Sequence, residues 1–138
     1  MIKINKIARM YESEILKFNS NEFKTLSFLR AQAGENRVIF YSKEQLGNIL
    51  KLDENEIDTA LKSLKNSEAI VMFNIKDNES KINVANAYYL REYDTKNQMY
   101  MSANTIDEIR NYALEIIQAK ELQNEIKNNS NPRQLIIE

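Results

Sequence analysis

Cysteine and histidine are both missing from this chain of 138 residues, and glycine and proline occur twice and once. Without cysteine there is no disulfide framework and no thiolate site. Without histidine, metal ligation falls to carboxylates alone, and the usual general base beside a serine nucleophile is gone. With glycine confined to Gly34 and Gly47, no phosphate-cradling loop can be written. No apolar run exceeds five residues, which excludes a membrane-spanning helix, and the first residues lack the apolar stretch of a signal peptide. The expectation is a cytoplasmic, non-enzymatic protein with no metal and no cofactor.

Charge of one sign is scarce too. The formal net charge is −1, and no segment is a polybasic arm of the kind that dominates nonspecific nucleic-acid binding. The first 33 residues do lean basic, so one face can be positive in a nearly neutral protein.

What is present is a series of well-marked elements in one α+β domain with added helices. Residues 2–18 show apolar positions Ile4, Ile7, Tyr11, Ile15 and Leu16 at helical spacing, with Lys3, Lys6, Arg9 and Lys17 off that stripe. The basic positions are candidates to touch phosphates. Asn19 and Glu22 form a capping pair for a helix whose face is Phe23, Leu26, Leu29 and Ala33, widened by Phe28, and Gly34 stops it. The β-branched and aromatic run 38-VIFY-41 reads as a strand.

Two more capping boxes follow. Ser42 with Gln45 opens a helix to about Leu50, burying Leu46, Ile49 and Leu50. Asp53 with Glu56 opens a second helix, whose inward face is Ile57, Ala60, Leu61 and Leu64. Residues 70–75 and 81–90 read as strands joined by the turn 76-KDNESK-81. The pair Tyr88-Tyr89 in the second strand reads as aromatic packing rather than as a nucleophile, since no basic catalytic cluster accompanies it. Residues 94–104 form a polar connector. Thr105 and Glu108 then cap a long helix over residues 106–128, and the tail of residues 129–138 ends in apolar Leu135, Ile136 and Ile137, which call for a partner.

The order helix, strand, helix, turn, helix, hairpin resembles the winged helix-turn-helix superfamily. The match is best over residues 42–75, with small Gly47 at the expected helix crossing, Ile57 ten positions on, and Leu50, Leu52 and Leu61 at buried positions. The hairpin looks like the wing. One departure lies in the turn, where Lys51 stands at a position usually held by glycine, so that either Lys51 takes a left-handed backbone at a modest cost or the turn differs. In architecture and in Asn/Lys/Ile-rich composition the chain is similar to replication, segregation and regulatory proteins of plasmids and phages of low-GC bacteria. The domains implied are an N-terminal helix (1–18), a winged domain (19–93), a connector and dimerisation helix (94–128) and a tail (129–138).

The resemblance implies binding of double-stranded DNA, yet the second helix of the motif begins with Asp53, Glu54, Glu56 and Asp58. Helix initiation accounts for Asp53 and Glu56 as caps and for Glu54 in a first turn that favours negative charge, leaving Asp58. Asn55, Thr59, Lys62 and Ser63 project away from the buried face and are the candidate base readers. Lys43, Lys76 and Lys81 are the candidate phosphate contacts, with Arg37 a weaker one. The alternative reading is a protein-interaction module that does not bind DNA. A homodimer is expected through the last helix, along Ile109, Tyr112, Ile116, Ala119 and Ile126, and the tail is expected to meet a partner subunit or another protein.

Overall fold

A computed structural model describes residues 8–128 and 135–138, the side chains of residues 121–128 excepted. The chain is mixed α and β. Helix α1 (Glu12–Lys17) is followed by α2 (Ser20–Ala33), a single 3-10 turn and strand β1 (Val38–Tyr41). Helices α3 (Lys43–Leu50) and α4 (Glu54–Asn66) lead into the hairpin strands β2 (Ile70–Asp77) and β3 (Asn83–Leu90). Short strands β4 (Tyr93–Asp94) and β5 (Met99–Tyr100) precede the long helix α5 (Ile106–Asn128), and β6 (Leu135–Ile137) completes the order.

The capping residues set the helix starts. Asn19 accepts from the amide of Glu22, Ser42 from Gln45 and Asp53 from Glu56, and each N3 side chain returns the bond to the cap amide. Each reciprocal pair satisfies two amide groups that would otherwise lack partners at a helix start. Gly34, with φ of 58°, ends α2 in a conformation that costs a side-chain-bearing residue more.

The sheet has strand order β1-β3-β2-β6 with antiparallel neighbours throughout. Its two faces serve two cores. On one face Ile70, Tyr88 and Leu90 pack with Leu26 and Leu29 of α2, Leu46 and Leu50 of α3, and Ile57, Leu61 and Leu64 of α4. On the other, Val71, Phe73, Ile75 and Ala87 pack with Ile109 and Ile117 of α5. The alternation along β2 and β3 follows from the two-residue period of a strand, which also sends Tyr88 and Tyr89 to opposite faces. Tyr88 is fully buried, and burial pushes its hydroxyl up to about 12.

Several sequence expectations need correcting. Among the described residues the N-terminal helix over 2–18 shrinks to the six residues of α1, and Ile4 and Ile7 lie outside the described residues. Its apolar stripe is not the buried face, since Leu16 is 80 % exposed and Ile15 is exposed as well, while Glu14 is wholly buried. The Glu14 carboxylate takes a bidentate bond from Arg30 of α2, at 2.8 and 2.7 Å, and another from the hydroxyl of Tyr100. Burial pushes the Glu14 carboxyl up, but these hydrogen bonds and the Arg30 charge outweigh it and hold the carboxyl below its usual range. Ile49, expected inside, is 47 % exposed. The connector over 94–104 is not featureless: β4 and β5 form a small hairpin that carries Tyr100 into the core.

The stripe of α5 differs as well. Ile109, Ala113 and Ile117, four apart, face the sheet, so Ile109 is buried in its own domain rather than offered to a second copy. Tyr112 is half-engaged within the chain, its hydroxyl donating to the Asn36 carbonyl at 2.8 Å and its ring edge-on to Tyr89. Ala119 is exposed and Ile116 half-buried, while the side chain of Ile126 lies outside the described residues. The tail finds its neighbour in the chain's own hairpin, where β6 pairs with β2.

Candidate nucleic-acid interface

Helices α3 and α4 meet at a tight turn. The amide of Leu52 donates to the Gly47 carbonyl at 3.0 Å, and Lys51 between them takes φ of 60°, the left-handed conformation its place in the turn demands. A side chain on Gly47 would bring its Cβ to 2.9 Å from the Leu52 carbonyl oxygen, with Ile57 close behind. Gly47 is therefore where the backbone of the turn folds back on α3 too closely for any Cβ. That contact fixes the angle at which α4 leaves the turn.

The outer side of α4 carries Asn55, Thr59 and Lys62, all exposed and spaced four and three apart on one face. Ser63 is half-buried at the margin of that face. Lys65, one turn beyond Lys62, is exposed too and extends the basic end of the helix; it is missing from the sequence candidates, although its helical spacing from Lys62 is a signal that could have found it. The amphipathic division is clean, because Ile57, Ala60, Leu61 and Leu64 are all buried on the other side.

The acids at the start of α4 are mostly occupied. Asp53 and Glu56 cap each other at 2.8 and 3.0 Å, and Glu56 also accepts from the Asn21 amide of α2 at 3.4 Å. Asp58, left unexplained by helix initiation, lies 2.7 Å from Lys43 Nζ of α3, a contact of charges rather than a well-aligned hydrogen bond. Glu54 remains in the first turn, where the helix dipole favours it. The open groove of about 440 Å³ beside the turn is lined by Lys43 against Glu44, Asp53 and Glu54, a balance that disfavours a phosphate there.

Two of the three expected phosphate contacts are thus engaged within the chain. Lys43 holds Asp58, and Lys76 holds Glu138 at 2.6 Å. Lys81 sits at the end of the hairpin turn with φ of 61°, its ammonium 3.2 Å from the Asn78 side-chain oxygen, and stays exposed. Arg37 is structural: its Nε donates to the Leu90 carbonyl at 2.7 Å and its guanidinium lies 3.8 Å from Glu92. Of the basic N-terminal positions, Lys3 and Lys6 lie outside the described residues, Arg9 is exposed beside the Tyr11 ring, and Lys17 rests near the Tyr100 ring. Glu138 was the influential residue that sequence reasoning missed; its pairing across 62 positions leaves no local signal.

Among the described residues no group of acidic side chains is arranged to hold a metal ion, and no helix is long and apolar enough to cross a membrane. No protein-family model matches the chain, and comparison with curated proteins and with solved structures finds no match.

Proposed function

We propose that this is a non-catalytic winged-helix protein that binds double-stranded DNA, with α4 as the reading helix and the β2–β3 hairpin as the wing, in plasmid or phage replication, segregation or transcription control. The observation that carries the reading is the tight α3–α4 turn closed on Gly47, followed by a helix that buries one side and turns a row of Asn55, Thr59 and Lys62 to solvent. These side chains are suited to base edges: Asn to adenine, Thr to the thymine methyl group, Lys to guanine or phosphate. Phosphate contacts fall to Lys62, Lys65 and Lys81, with Lys43 and Lys76 joining when their carboxylate partners release them.

The functional unit is proposed to be a homodimer reading two half-sites. Its pairing surface is the outward side of α5 around Ile116 and Ala119, since Ile109 is spent on the sheet. A second reading, a protein-interaction module, is favoured by the acidic lining of the groove beside the turn and by the neutralised lysines.

Fluorescence anisotropy with mixed-sequence duplex DNA tests the proposal. Lys62→Ala and Lys81→Ala are expected to weaken binding roughly uniformly across sequences and to lower the salt slope by about one unit each, with circular dichroism unchanged. Unaltered affinity in both variants would move the interface off α4 and the hairpin.

A further inference from the structure

The segment 135–138 lies where a wing would meet nucleic acid, and its role rests on the reading above. β6 runs along the outer edge of β2, with Ile75 opposite Ile137, Lys76 opposite Ile136 and Asp77 opposite Leu135. Glu138 extends the ladder: its amide donates to the Asn74 carbonyl at 2.9 Å, and its carbonyl accepts from the Asn74 amide at 3.0 Å. Leu135 and Ile137 pack on the α5-side core, and the Glu138 carboxylate holds the Lys76 ammonium at 2.6 Å. The hydrogen bond and charge of Lys76, with a weaker pull from Lys81, hold the Glu138 carboxyl below its usual range.

The hairpin turn 76-KDNESK-81 carries two lysines against Asp77 and Glu79, a formal charge of zero, and the docked Glu138 brings the ensemble to −1. A phosphate approaching the hairpin therefore meets an ammonium already held by a carboxylate.

The attachment is also narrow. It comprises three strand residues, all half-buried, and an ion pair whose side chains are 28 % and 55 % exposed. Exposed ion pairs are weak in water, and short edge segments open locally far more readily than a core. A phosphate offers the same anionic oxygen chemistry as the carboxylate it would replace.

We propose that residues 135–138 are a displaceable mask on the hairpin: docked on β2 they hold Lys76 on Glu138, and a nucleic-acid phosphate competes with that carboxylate for the same ammonium. Binding and undocking are then linked. Loosening the segment raises affinity, and bound nucleic acid loosens the segment by the same factor.

The test uses the full chain in three forms, wild type, Glu138→Gln and Ile137→Ser, with duplex DNA affinity measured by anisotropy across a salt series. Glu138→Gln is expected to bind about two- to fivefold tighter at low salt, the range of an exposed ion pair, with a salt slope steeper by about one unit. Lys76→Ala added to Glu138→Gln removes that gain. Ile137→Ser is expected to tighten binding as well and to speed hydrogen exchange at the Asn74 amide. Wild type and Glu138→Gln binding DNA with equal affinity and slope would overturn the mask and leave the DNA reading intact. Absence of binding in all forms overturns both. Glu138→Gln changes an exposed side chain, so it decides the matter even where Ile137→Ser disturbs the fold.

Discussion

Gly47 and Glu14 show how much a single position can decide. An alanine in a helix interior ordinarily gains about 1 kcal/mol over glycine. At Gly47 the added Cβ would sit 2.9 Å from the carbonyl oxygen of Leu52, whose amide is bonded back to Gly47, so the turn backbone must shift. Overpacking of that kind costs about 1–3 kcal/mol, and the clash outweighs the propensity. Gly47→Ala is expected to bring no gain and a loss of up to about 2 kcal/mol in urea unfolding, where an ordinary helical glycine would show a gain of about 1 kcal/mol. Glu14 makes the opposite lesson, a charge buried because its partners are buried with it. Its folded carboxyl sits below the unfolded value, so its contribution is fully present above about pH 4.5 and is lost as pH falls through the folded value. Glu14→Gln leaves Arg30 without its counter-charge, which costs about 3–5 kcal/mol for a buried pair. Urea midpoints of wild type and variant should converge as the pH is lowered from 7 toward 3, because the wild-type protein alone loses this ion pair.

At the scale of elements, the starts of α2, α3 and α4 were legible because a capping box is a local signal spanning four residues. At Lys51 the resemblance left two possibilities, a left-handed residue or a different turn, and the structure has the first. What was not legible depended on distant partners. Nothing near Glu14 shows that Arg30 and Tyr100, 16 and 86 positions away, close around it. The inward face of α5 was ambiguous for a related reason, since apolar residues at three- and four-residue spacing allow more than one stripe. The sheet selects Ile109, Ala113 and Ile117 because β2 and β3 turn Val71, Phe73 and Ala87 toward the helix. Arg110 and Lys120 flank the contact over the rings of Phe73 and Phe40. Ile117→Ala is therefore expected to destabilise the fold by about 2–4 kcal/mol, as a core truncation does, measured by chemical denaturation. A helix reserved for pairing with a second copy would instead show a loss that depends on protein concentration.

For the whole molecule, a sheet covered on both faces leaves the outer side of α4 and the hairpin turn exposed, with Asn55, Lys62, Lys65 and Lys81 among their cations and amides. The order of helices and hairpin strands was legible because local signals agreed with one another, whereas the packing of α5 and β6 on the second side of the sheet was not. The site itself was half legible. Its row of Asn55, Thr59 and Lys62 followed from helical periodicity, while the engagement of Lys43 by Asp58 and of Lys76 by Glu138 required the folded chain. Those pairings leave about three phosphate contacts to α4 and the hairpin, through Lys62, Lys65 and Lys81, which makes the central claim quantitative. With duplex DNA titrated at potassium chloride from low to physiological concentration, the logarithm of the binding constant should fall linearly against the logarithm of salt. A slope of about −3 per protomer is the value predicted, at about 0.9 per phosphate contact. No saturable binding at the lowest salt, or a slope near zero, would contradict DNA binding by this protein.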